Sequence, residues 1–104
     1  MNKGKEIVYL AGAITQNPQY QYDFSDAEMV FTHLGKVVLN PACLPLGLRK
    51  WEDYMEISQS MLEVADTCVF LQGWKRSKGA KREHELAEKL GKKIVYYNRG
   101  ELVL

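Results

Sequence analysis

Glu83 is the side chain through which this sequence most directly suggests chemistry. It ends the run Ser77-Lys78-Gly79-Ala80-Lys81-Arg82-Glu83, in which a serine and a glycine open a helical segment. The free N–H groups and the dipole of a helix N-terminus favour an anion such as phosphate. A carboxylate in the first turn or so of that helix could attack an anomeric carbon, as in retaining glycoside chemistry. The same carboxylate could equally do no more than complement the dipole, since acidic residues are favoured at the start of any helix.

The neighbouring side chains carry paired readings too. Lys75, Arg76 and Lys78 form a basic loop that could hold phosphate or stay solvated. Trp74 could stack on a base or pack on the loop. Tyr54 and Ser58 share one stripe of an earlier helix, and the serine either reaches a ligand or bonds back to its own backbone. Glu52 and Asp53, at the start of that helix, are dipole complements or site acids. His84 reads as a surface histidine, and His33 as a cation suiting a helix C-terminus. Asp66 precedes a strand, at the end of the sheet opposite the site, where a turn or capping role fits. Cys43 and Cys68 have no partners at metal-ligand spacing, so neither a metal nor a disulfide is expected. No cofactor is expected either.

These residues must be positioned by alternating strands and helices. Ile7-Val8-Tyr9-Leu10-Ala11 is a continuous apolar run, the pattern of a strand covered on both faces. Residues 36–40, 67–71 and 94–97 predict three further strands, and 100–104 a short fifth strand or a tail. Helical spacing of apolar residues predicts helices over 20–34, 51–65 and 80–90, the first and last stopped by Gly35 and Gly91. The inner stripe of the second would be Tyr54, Ile57 or Ser58, Met61 and Ala65. Such alternation predicts an α/β fold of three layers, flavodoxin-like or Rossmann-like. Its parallel sheet would have four or five strands in the order 2-1-3-4, with helices on both faces. Ligands of such sheets bind beyond the carboxyl ends of the strands, where loops 12–19, 40–50 and 72–79 would converge.

Composition bounds the rest. With 104 residues the chain is expected to be one domain spanning 1–104. Fourteen basic residues against thirteen acidic ones leave a formal charge of +1, which gives no reason to expect a nucleic-acid polymer or a membrane surface as partner. No apolar run is long enough to span a bilayer or serve as a signal peptide, so a cytoplasmic protein is expected.

Tyr9-Leu10-Ala11-Gly12 resembles the opening strand and turn of nucleoside deoxyribosyltransferases and 2-deoxynucleoside monophosphate hydrolases. The pattern Ser77-x-Gly79-x-x-x-Glu83-x-x-x-Ala87 resembles their later motif, in which the glutamate is the nucleophile. Asn40-Pro41 and Gly73-Trp74 bring the chain closest to the small DUF4406-type branch of that superfamily, over nearly all of residues 5–97. There are departures. Ala13 stands where the transferases usually have a proline, and Ala13 and Thr15 stand where the hydrolases bind phosphate with a serine and an arginine. Ser58 occupies the position of an aspartate that engages the base or leaving group, which removes a proton donor worth roughly a hundredfold in rate.

The resemblance implies an N-glycosidic bond hydrolase or transferase acting on a nucleoside or nucleotide. Glu83 would attack C1′, Ser77 and Gly79 would hold a 5′-hydroxyl or phosphate, and Tyr9, Gly12 and Trp74 would shape the sugar and base pocket. The alternative is a non-catalytic binder of a nucleotide or ADP-ribose-like molecule. Tyr20, Tyr22, Trp51 and Tyr54, with the apolar end Glu101-Leu102-Val103-Leu104, give more apolar surface than a small monomer easily covers. A homo-oligomer is expected, most simply a two-fold dimer.

Overall fold

The computed structural model describes residues 4–15, 17–45, 47–48 and 50–103. Along the chain run β1 (Ile7–Ala11), α1 (Tyr20–His33), β2 (Val37–Leu39), α2 (Trp51–Val64), β3 (Thr67–Leu71), α3 (Lys78–Lys89), β4 (Lys93–Asn98) and β5 (Glu101–Val103). Short 3-10 turns cover Pro41–Cys43 and Trp74–Arg76.

The sheet has the order β2-β1-β3-β4-β5. Its first four strands are mutually parallel, with Tyr9 beside Leu39 on one side and Cys68 on the other. Only β5 is antiparallel, Asn98 pairing with Glu101. The reversal is local. Arg99 and Gly100 form a two-residue hairpin turn with φ of 44° and 93°, the geometry whose twist matches that of the flanking strands.

Successive side chains of a strand point to opposite faces, and this divides the core in two. Val8, Leu10, Val69, Leu71, Val95 and Tyr97 pack under Phe24, Ala27 and Phe31 of α1. Tyr9, Ala11, Cys68 and Phe70 face the other way, against Leu62, Ala65 and Ala87 of the α2 and α3 layer. The first helix, expected over 20–34, ends at His33, and Leu34 is its exposed C-cap. In α2 the inner position is Ser58, whereas Ile57 is exposed. Asp66 acts at the bottom of the sheet as expected, its Oδ2 accepting the Ile7 N–H at 2.9 Å. No helix among the described residues is long and apolar enough to cross a membrane.

Candidate active site

The buried face of α3 is built from Ala80, Glu83 and Ala87, spaced three and four apart. The two alanines let the helix lie close to the sheet, and Glu83 is carried inward with them. Ser77 caps the helix, its Oγ accepting the Ala80 N–H at 3.1 Å. Gly79 fits because a Cβ there would stand 3.0 Å from Met55 Sδ on α2.

Glu83 is 6% exposed. The Tyr9 hydroxyl, from the middle of β1, donates to its Oε2 at 2.8 Å. The Ser58 hydroxyl donates to the Met55 carbonyl at 3.3 Å, and it also interacts with the Glu83 carboxylate. Burial pushes the Glu83 carboxyl above its ordinary range, opposed by the Tyr9 and Ser58 hydroxyls and by the charge of Arg82. Burial, then the Glu83 charge, pushes the Tyr9 phenol well above its own range.

Above Glu83 opens a cleft of about 260 Å³, walled by residues that follow β1 (Gly12, Thr15), residues that follow β2 (Pro41, Ala42) and the start of α3. Tyr9, Gly12, Thr15, Tyr54, Ser58, Ser77, Gly79 and Glu83, all proposed from sequence, line it together. Gly12 is required by close approach: a Cβ would meet Leu71 Cβ at 3.2 Å and Phe24 Cζ at 3.4 Å. The Tyr54 hydroxyl is occupied, donating to the Pro45 carbonyl at 2.9 Å and accepting from the Leu48 N–H at 3.3 Å. It thereby braces the described part of the loop after Pro41. Ala13 lines an adjoining polar cleft, with Arg76, Lys78 and Arg99.

Trp74 does not join the cleft. It stacks on His84, ring centroids 4.3 Å apart and 13° from parallel, and packs on Phe70. His84 is half-buried rather than a surface residue, with Nε2 2.8 Å from the Tyr96 hydroxyl. The reason is helical geometry: one residue past Glu83 is a rotation of about 100°, so His84 faces the Trp74 side of α3 when Glu83 faces the cleft. Glu52 and Asp53 do not line the cleft either. Sequence reasoning missed Ile14, Phe24, Leu44 and Met55 as walls, and it counted Tyr20 and Trp51 as surplus surface aromatics. The signal available for Met55 was its place three residues before Ser58 on the same helical face. Trp51 sits at the mouth with Lys78 Nζ 5.0 Å and the Arg82 guanidinium 5.6 Å from its ring.

The family model for the domain of unknown function DUF4406 matches residues 6–96. The chain belongs to that family. The match covers β1, α3 and most of β4, so the Tyr9–Glu83 pair lies wholly inside the DUF4406 domain. Among solved structures, the 2-deoxyribosyltransferase of the psychrotolerant bacterium Bacillus psychrosaccharolyticus superimposes with a TM-score of 0.72 at 20% identity, over 94% of this chain and 76% of that one. At that identity the likeness establishes a shared deoxyribosyltransferase-like fold. No curated protein matches this DUF4406 chain. No group of three or more His, Cys, Asp or Glu side chains among the described residues could hold a metal ion.

Proposed function

We propose that this DUF4406 chain acts on the N-glycosidic bond of a nucleoside or nucleotide, with Glu83 as nucleophile at C1′. One observation carries the reading: a carboxylate buried under a cleft at the carboxyl ends of β1 and β2, with its Oε2 held by the Tyr9 hydroxyl. A fixed, water-shielded carboxylate is suited to forming a glycosyl ester, which water or a second base then resolves. The fold shared with a 2-deoxyribosyltransferase supports this substrate class. In this reading Ser77 and Gly79, which line the cleft at the start of α3, hold the sugar 5′-hydroxyl or phosphate, and Thr15, Tyr20 and Tyr54, also in its lining, contact the rest of the ligand.

The test is release of free base from a panel of nucleosides, deoxynucleosides and their monophosphates. Wild type releases base from at least one member, and Glu83→Ala lowers that rate about a thousandfold or more. Equal inertness of the two proteins across the panel overturns the reading.

A second reading has its own support. Glu83 is the one carboxyl among the described residues lining the cleft, with Ser58 where the resembled enzymes have an acid. That suits a binder of a nucleotide or ADP-ribose-like molecule without turnover. Calorimetry followed by recovery of the ligand separates the two, since intact ligand supports binding alone and cleaved ligand excludes it.

A further inference from the structure

Among the described residues the cleft holds a nucleophile but no strong acid, and that asymmetry restricts the bond it can break. Among its described lining residues Glu83 is the only carboxyl, and there is no histidine, lysine or arginine. The remaining polar groups are hydroxyls. The Tyr9 hydroxyl is already donated to Glu83, and that of Tyr54 to the Pro45 carbonyl. Serine, threonine and phenol hydroxyls are far weaker acids than a carboxyl or an imidazolium. A further carboxyl, Asp23, lines the adjoining polar cleft and accepts from Asn17 Nδ2 at 3.0 Å.

A neutral purine or pyrimidine leaves C1′ as an anion unless it is protonated as the bond breaks. A pyridinium base does not have that requirement, because its ring nitrogen carries the positive charge in the substrate and leaves neutral. We infer that the preferred substrate class is an N-ribosyl pyridinium nucleoside or nucleotide, an assignment that rests on Glu83 being the nucleophile. The C1′–N bond breaks and its electron pair returns to the ring nitrogen, releasing a neutral pyridine. A Glu83 carboxylate oxygen bonds to C1′ in its place. Water then adds at C1′, the carboxylate leaves, and the proton of the water passes to solvent.

The surroundings suit this charge distribution. The pyridinium enters an apolar cleft whose one carboxylate is Glu83, with the rings of Tyr20 and Tyr54 in the wall. Cations are stabilised by both an opposite charge and an aromatic face. Across the shared edge of Thr15, Ser77 and Gly79 lies the polar cleft with Arg76, Lys78 and Arg99. Among the described residues none of these three is within ion-pair distance of a carboxylate. Phosphate on the ribose would meet these cations, with C1′ between the pyridinium and the Glu83 carboxylate.

The experiment compares kcat/KM for nicotinamide riboside and nicotinamide mononucleotide with adenosine, uridine and their monophosphates, read as free base. The pyridinium substrates are expected to exceed their neutral-base counterparts by about a hundredfold or more, the scale of a missing general acid. In wild type the ratio should shrink as pH falls, because solvent then protonates the neutral bases. Ser58→Asp should raise adenosine cleavage about tenfold with no gain on nicotinamide riboside. A mononucleotide advantage over the riboside that is lost when Arg76, Lys78 and Arg99 are replaced by alanine assigns the phosphate to these cations, and an advantage that survives removes it from them. Neutral bases released as fast as pyridines overturn the inference and leave N-glycosidic cleavage by Glu83 standing. Release from no substrate overturns both.

Discussion

At the scale of the residue, Glu83 and Tyr9 set the pH behaviour. Because burial raises the Glu83 pKa, the folded chain holds this proton more tightly than the unfolded chain. Stability linked to Glu83 is therefore fully present below the ordinary value of 4.5 and is lost as pH rises through the raised one. Glu83→Gln should melt above wild type at neutral pH, and the two curves should converge near pH 4; a neutral variant that melts lower at pH 7 contradicts this. Tyr9→Phe removes the hydroxyl that donates to the buried carboxylate. It should destabilise the protein by about 1–3 kcal/mol at neutral pH in denaturant unfolding, with a smaller loss in acid. Glu83 was legible as a candidate because a carboxylate beside a helix start is a local pattern. Its bond to Tyr9, 74 positions away, was not.

At the scale of the element, the approach of β1 to β3 and α1 leaves no room beside Gly12. Gly12→Ala should cost about 1–3 kcal/mol, since Leu71 Cβ belongs to a central strand and cannot give way. Urea unfolding checks it, and an unchanged midpoint would mean that the neighbours relax. The β4–β5 turn offers the opposite case. Arg99 has a φ of 44°, a left-handed conformation that costs a non-glycine residue about 1 kcal/mol. Arg99→Asn, in a turn type that favours asparagine before glycine, should raise stability by several tenths of a kcal/mol. Strand and helix spans were readable because a continuous apolar run and an apolar period of 3.6 are both local patterns. The antiparallel β5 was open between strand and tail, because three residues pair only where β4 offers an edge.

At the scale of the whole molecule, the expected dimer now stands on different residues. Tyr20, Trp51 and Tyr54 line the cleft, so they no longer argue for a partner; Glu101–Val103 pairs with β4 as β5 but leaves Leu102 exposed, and Leu104 lies outside the described residues. Exposed apolar side chains remain on α1 (Tyr22, Met29), β2 (Val37) and α2 (Ile57, Val64). We propose a two-fold homodimer through such a face. Light scattering at micromolar concentration should give twice the 11.9 kDa of the chain, and a clean 11.9 kDa overturns it.

The sequence by itself determined the α/β alternation, the order of the four parallel strands and the placing of Glu83 near the start of a helix. Those follow from periodicity and from the handedness of crossovers, which act over a few tens of residues. Tertiary structure alone decided which side chains share one space. Trp74 and His84 went to the far side of α3, while Trp51, Met55 and Tyr20 came to the cleft. It also set the burial that raises the Glu83 pKa. These depend on how helices rotate and seat against the sheet, and packing across distant segments fixes that rotation rather than any local pattern.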